Sequence, residues 1–528
     1  MLCVAGEAEA EKHMRRKSQH RGDRQRDPAA IRQLPWRQVV NPYRPLEFLS
    51  ADQVETIHQA SLKLLEDVGI EFMSPRALDV LAGAGADVDR ERQLVRFDGA
   101  LIKQLVALAP SSFTLTPRNP ERRLSVGGNV VCFSTVGGPP NVHDCERGRR
   151  AGNLQDYSDF VRLAQSLNIV HYIGNQPCPP VELLAESRHL DCYLAAITYC
   201  DRVYQCTAIG AERAIDGIDM MAIARGLSRE EMVDSPGTLT NINCNSPRRY
   251  DGPMCEGLMA MADYGQGVVV TPFTLMGAMT PVTTAAALTQ QNAEALAGIA
   301  LTQAVKPGTP VVYGGFTSNV DMRSGAPAFG TPENARATVA GGQLARRYAL
   351  PYRSSNANAS NAVDAQAAYE SEMSIWSAVM GGVNLLYHGA GWLEGGLTAS
   401  FEKFVLDAEL LQMFSEMLRP IEVNEATLAL DAIGAVQPGG HFFGSPHTME
   451  RYETAFYQPL LSDWRNYETW EEAGSPTATQ RATAIWKQLL KTYEQPPLDP
   501  AVAEELEAFV RHRKDEIKRQ AEPVSKTV

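Results

Sequence analysis

Eight times between about residue 130 and residue 420, the chain repeats one cycle: a short apolar strand, a few small polar residues, then a stretch with helical spacing. The strand ends read VVCFSTVGG, IVHYIGNQP, RVYQCTAIG, TLTNINCNSP, VVVTPFTLMG, PVVYGGFTSN, LPYRSSNAN and VNLLYHGAGW. The strands are near-continuous apolar runs, which a parallel sheet covered by helices on its faces requires. Strand-to-strand spacing is roughly 30 to 42 residues, enough for one strand–helix unit per step. Eight even units without a GxGxxG turn favour a closed (β/α)8 TIM barrel over a doubly wound open sheet. The barrel is expected over residues 129–420, with its chemistry at the carboxyl ends of the strands.

Flanking segments complete the predicted organisation. Residues 1–35 are charged and read as a disordered basic arm. Residues 36–128 read as an N-terminal α+β cap, with a helix in DQVETIHQASLKLLEDVGI capped at Ser50 or Asp52 and a hairpin in VDRERQLVRFDG. Residues 421–528 read as a C-terminal helical extension. The formal net charge of −13 argues against nucleic acid or an anionic membrane as the main partner. No run of 18 apolar residues suggests a membrane span. Nine cysteines, an odd number without a CxxC pair, fit a reduced, cytoplasmic location. The long Ala-rich stretch after the fifth strand, taken as an outer helix, hints at a homo-oligomer.

The strand ends collect aromatic rings and neutral amides, and lack the clustered Asp, Glu and His of a metal hydrolase. No lysine stands at a strand end to form a Schiff base. Such a cup suits a quaternary ammonium, which cannot donate a hydrogen bond and is held by the negative faces of rings. The candidate cage is Phe273, Tyr313, Phe316, Tyr352 and Trp392, with Glu394 for charge balance if it turns inward. Arg353 or His388 is a candidate anchor for a carboxylate on the same ligand. Gln205 and Asn243 stand for the polar strand-end groups. No catalytic acid, base or nucleophile and no metal ligand emerges from the pattern.

Longer motifs carry a resemblance. PFTLMGAMTPVT, PGTPVVYGGFTSNVDMRSGAPAFGTPE, YRSSNANASN and HGAGWLEGGLTASFEKFVLDAELLQ, with RNPERRL, GGPPNVHD, ESRHLD and GGHFFGSPHT, are similar to the trimethylamine methyltransferase family across about residues 35 to 515. The resemblance implies a (β/α)8 barrel that moves a methyl group from a methylated amine to the cobalt of a separate corrinoid protein. It implies no cofactor tightly bound to this chain. Archaeal trimethylamine enzymes of the family carry pyrrolysine, whereas this chain has only standard residues. Methyl transfer from a neutral tertiary amine would expel an amide-like anion, whereas a quaternary ammonium releases a neutral amine. Members without pyrrolysine resemble quaternary-amine methyltransferases, which makes glycine betaine or a related betaine the expected donor. Trimethylamine as the donor, and a betaine-binding protein without transfer, are the alternatives.

Overall fold

In a computed structural model, residues 31–521 are described; most of the predicted basic arm and Cys3 lie outside them. The fold is mixed α/β, and all eight predicted strand ends form parallel strands. They are β1 Val130–Thr135, β2 Tyr172–Ile173, β3 Val203–Tyr204, β4 Leu239–Cys244, β5 Gly267–Met276, β6 Val311–Gly314, β7 Tyr352–Ser355 and β8 Leu385–Ala390. Pairing runs β3-β2-β1-β8-β7-β6-β5-β4, parallel throughout. Between β3 and β4, a parallel bridge joins Gln205 to Leu239, and the N–H of Cys206 donates to the Leu239 carbonyl at 2.8 Å.

A long helix follows each strand: α1 Leu154–Ser166, α2 Arg188–Tyr199, α3 Ala211–Arg225, α4 Gly252–Asp263, α5 Thr284–Val305, α6 Pro332–Arg347, α7 Ala365–Met380 and α8 Phe401–Met417, with the short helix Arg229–Asp234 added after α3. Thr331 caps α6 ahead of Pro332 by accepting from the Asn334 N–H, the geometry that Pro at the first helical position favours. Side chains from seven of the strands, among them Cys132, Tyr172, Val203, Leu239, Val269, Val312 and Leu385, form a buried cluster. Leu115, Leu124 and Val126 of the antiparallel hairpin Ser112–Leu115/Leu124–Gly127 join it.

Before the strands, the helix Ala51–Asp67 starts at Ser50 in a reciprocal capping box with Gln53. The hairpin expected in VDRERQLVRFDG pairs Asp87–Asp89 with Leu94–Arg96. Helix α5 is not an outer helix. The helices Ala51–Asp67, Pro75–Gly83 and Gly99–Val106 lie over it, and sixteen of its residues are buried. Its alanines are small because neighbours approach closely, so the association inferred from them loses its basis. No helix of the described residues is long and apolar enough to cross a membrane.

Two additions modify the strand–helix cycle near the carboxyl ends. The hairpin Asn141–Asp144/Gly148–Ala151 follows β1 and pairs with Thr398–Ser400. The strand Phe316–Val320 pairs with the outer half of β5, aligning Phe316 with Phe273.

Candidate functional site

A cavity of about 590 Å³ opens at the carboxyl ends of the parallel strands. Gln205, Asn243, Phe273, Phe316, Arg353, His388 and Trp392 all line it, seven of the ten residues expected from the sequence. Ser134, Asn175, Asn241 and Tyr387 complete much of its polar wall. Arg353 is the only Arg, Lys, Asp or Glu among its described lining residues.

Arg353 is 1% exposed and has no acidic partner among the described residues. Its guanidinium lies 5.2 Å from the Phe316 ring centroid and 4.4 Å from that of Tyr387. Its one polar contact among the described residues is a long one, Nη2 to Nε2 of His388 at 3.5 Å. Nε and Nη1 find no hydrogen-bond partner among the described residues. Burial pulls its pKa down from 12.5 to about 10, so the cation persists at neutral pH but is poorly stabilised. Burial, and then the charge of Arg353, holds His388 well below its ordinary value, which keeps that imidazole neutral. The unpaired groups continue around the wall with Nε2 of Gln205, the Tyr387 hydroxyl and Nδ1 of His388. A buried guanidinium without a counter-ion costs several kcal/mol, and an anion in the cavity would relieve that cost.

The adjoining wall is aromatic, formed by Phe273, Phe316 and Trp392, with the buried Phe329 packed behind them. Phe316 stacks on Phe329 at 5.2 Å and lies 5.1 Å from Phe273. The Trp392 indole stands edge-on to Phe316 and Phe329, each at 6.0 Å, and 4.3 Å from His388. Reciprocal bonds to Asn358 fix Trp392: the indole N–H donates to its carbonyl at 3.0 Å, and Asn358 Nδ2 donates to the Trp392 carbonyl at 2.7 Å. Gly396 has φ +97°, and a Cβ there would come within 2.5 Å of the indole, so only glycine leaves room for the ring.

The segment carrying His388 and Trp392 is strained. His388 and Glu394 both adopt left-handed backbone, with φ of 55°, a conformation costly for side chains other than glycine. A buried pair on α8 supports it from behind. Asp407 accepts from the Gly391 N–H at 2.8 Å and from Lys403, whose ammonium also donates to Ser371 at 2.7 Å. Both members are fully buried. Burial raises the Asp407 pKa and lowers that of Lys403.

Three expected residues lie elsewhere. Tyr313 and Tyr352 are buried against helices: the Tyr313 hydroxyl donates to Asn292 at 3.0 Å and that of Tyr352 to the Thr338 carbonyl at 2.8 Å. Both side chains point away from the cavity because residues one apart on a strand face opposite ways, and the neighbour of Tyr352 is the inward Arg353. Glu394 turns outward, bound by Arg149 at 2.7 Å and 3.1 Å and by Thr398, so it supplies no charge balance to the cavity. Phe329, Asp407 and Lys403 were not foreseen from the sequence. Phe329 stands two residues before the helix cap Thr331 within the APAFGTPE motif, the one signal that could have drawn attention to it.

Residues 15–518 match the trimethylamine methyltransferase (MTTB) family. The chain is 38% identical over 470 residues to the glycine betaine methyltransferase of Desulfitobacterium hafniense strain Y51, covering 89% of this chain and 97% of that protein. It is 29% identical to the proline betaine:corrinoid methyltransferase of Eubacterium limosum, covering 81% of this chain and 88% of that one. It is 28% identical to the trimethylamine methyltransferase MttB of Desulfitobacterium hafniense strain DSM 10664 / DCB-2, covering 88% and 94%. Its fold is similar to that in the crystal structure of the hydroxylamine MtmB complex, with a TM-score of 0.51 at 10% identity over 88% of this chain and 89% of that one.

Proposed function

We propose a methyl donor and an acceptor for this chain, which belongs to the trimethylamine methyltransferase family: it moves a methyl group from a quaternary betaine, glycine betaine or a close analogue, to Co(I) of a corrinoid on a separate protein. One observation carries the choice of donor. A single cavity joins a buried, unpartnered guanidinium to an aromatic wall. A betaine presents a carboxylate and a permanent cation a few bonds apart, and so answers both features. Trimethylamine has no anionic group and would leave Arg353 unpaired. The similarity to relatives named for glycine betaine and proline betaine supports the same choice.

In this reading Arg353, with Gln205 and Tyr387 beside it, takes the carboxylate. Phe273, Phe316 and Trp392 face the ammonium, each contact worth about 0.5–2 kcal/mol. In the reaction the C–N bond breaks, its electron pair stays on the departing tertiary amine, and the methyl carbon bonds to cobalt, which goes formally from Co(I) to Co(III). No proton moves, which suits a site whose described lining holds a neutral imidazole and no Asp, Glu or Lys. The chain contributes position and a cavity shielded from water. The corrinoid belongs to the partner, and the reading gives this chain no tightly bound cofactor of its own.

A closed (β/α)8 barrel is the architecture that goes with this function. The Gln205–Leu239 bridge across the last gap and the shared inner cluster of seven strands support it. Residues 36–128 then form an α+β cap, 129–420 the barrel and 421–528 the extension. The partner would dock on the rim of the cavity, where Val282, Met322 and Leu397 are exposed apolar residues on loops after strands β5, β6 and β8. The reaction belongs in a reducing cytoplasm, since it consumes Co(I). Calorimetric titration tests the donor: glycine betaine should bind and trimethylamine should bind at least about 30-fold more weakly. Equal affinities would remove Arg353 from the account.

A further inference from the structure

The segment after α8 carries a feature that methyl transfer does not use. From residue 419 to residue 459 no residue is buried, although the chain forms short helices at Glu425–Leu428, Leu430–Gly434 and Pro446–Arg451. Asn424 and Ser445 cap two of them properly. Yet Ile421, Val423, Leu430, Phe443 and Phe456 are 73–86% exposed. An ordered stretch without a core cannot offset its own conformational entropy, so something else must cover it. The body offers a matching face beside the point where this arm leaves. Tyr369, Met373 and Trp376 form an exposed stripe along α7, and Met413 and Met417 continue it on the adjacent α8.

We propose that the partner is a second copy of this chain, and that residues 419–459 of each copy lie on the α7–α8 stripe of the other. Arm and stripe are neighbours on one molecule, so a two-fold axis beside them sets each arm over the partner's stripe in one self-complementary interface. The arm has nine large apolar side chains that are more than half exposed. At roughly 100 Å² or more each, they would bury on the order of 800 Å² or more per copy, as much as a standard stable interface needs. The stripe consists of aromatic and methionine side chains, and the arm adds Phe443, Met449, Tyr452 and Phe456 to its aliphatic residues, types enriched in protein interfaces. The corrinoid carrier is the weaker candidate for this surface. It must leave after each methyl transfer, whereas apolar surface of this extent belongs to permanent interfaces, and the cavity rim already provides it with a separate docking patch. Only this choice between partners rests on the transfer reading; the dimer does not.

Light scattering on the purified full-length chain at micromolar concentration tests the proposal, with a mass of about twice 57.7 kDa expected. F443D/F456D in the arm and Y369D/W376D in the stripe should each give monomers, with the dimer dissociation constant raised at least about 100-fold. An equimolar mixture of the two variants should recover dimers, because the stripe variant's intact arm can dock on the arm variant's intact stripe. All these residues are exposed, and an unchanged far-UV circular dichroism spectrum with a cooperative thermal transition in each variant verifies folding independently of mass. A monomeric wild-type chain, a dimer that survives both sets of substitutions, or folded variants that stay monomeric when mixed would overturn the proposal.

Discussion

Replacing Arg353 with Met should change stability and ligand binding in opposite directions. The guanidinium is fully buried, stacked between two rings, and short of hydrogen-bond partners at Nε and Nη1. The fall in its pKa from 12.5 to about 10 corresponds to about 3 kcal/mol of disfavour for the charged form in the folded state. Arg353→Met removes that cost and gives up stacking worth about 0.5–2 kcal/mol. The ligand-free protein should therefore gain about 1–2 kcal/mol, seen as a rise of a degree or two in Tm. Binding should suffer instead. Removing one partner of a buried, hydrogen-bonded charge pair costs about 2–5 kcal/mol, so Kd for glycine betaine should rise about 30- to 5000-fold. Arg353→Lys keeps the charge without the planar fork and should fall between the two. Differential scanning fluorimetry with and without glycine betaine reads both effects in one experiment. A drop in the ligand-free Tm together with an undiminished betaine shift would refute the reasoning, because it would make Arg353 a structural residue.

Other consequences follow from the same geometry. Phe316→Leu and Trp392→Leu should each raise KM for the betaine about 2- to 30-fold through lost cation–π contact, measured in steady-state methyl transfer; an unchanged KM would take that ring out of the cage. Lys403→Met leaves Asp407 buried without its cation and should cost about 3–5 kcal/mol in chemical denaturation, whereas a change below about 1 kcal/mol would mean that Asp407 is already neutral. His171 accepts from the Phe133 N–H at Nδ1 (2.9 Å) and has Nε2 2.9 Å from the Arg37 carbonyl, a pattern only the neutral ring can satisfy. Burial holds its pKa down to about 4. The folded chain thus binds fewer protons than the unfolded chain, whose histidine titrates near 6.5. This contribution is complete above about pH 6.5 and is lost as pH falls toward 4, at a cost of about 3 kcal/mol. His171→Gln should flatten that part of the stability–pH curve, and an unchanged slope would exclude His171 as its source. Met322→Asp on the rim should raise KM for the corrinoid protein about tenfold while leaving betaine affinity unchanged, and loss of betaine binding instead would place Met322 in the cavity.

The strands were legible because parallel strands covered on both sides read as unbroken apolar runs. The helix starts at Ser50 and Thr331 were legible because capping is a local interaction. The facing of side chains was only partly so. Alternation separates Tyr352 from Arg353, and the parity of the strand could have sorted them. It fails at Tyr387 and His388, neighbours that both line the cavity, because the left-handed backbone at His388 breaks the alternation. Phe329 packs behind the aromatic wall through the ribbon formed by Phe316–Val320 and Pro327–Ala328, a long-range arrangement with no local signature. Lys403 and Asp407, four apart on a helix, look in the sequence like an ordinary surface ion pair. The Ala-rich α5 misled for the converse reason, since small residues serve close packing inside a chain as readily as between chains.

The central claim is that a quaternary betaine, and not trimethylamine, gives up its methyl group here. The direct measurement incubates the purified protein with a Co(I) corrinoid protein and each amine, and follows the change from the Co(I) to the methyl–cobalt absorption spectrum together with the demethylated amine formed. The account predicts methyl–cobalt formation and stoichiometric dimethylglycine from glycine betaine, with no reaction from trimethylamine. Methyl–cobalt formation from trimethylamine alone, with every betaine inert, would contradict it.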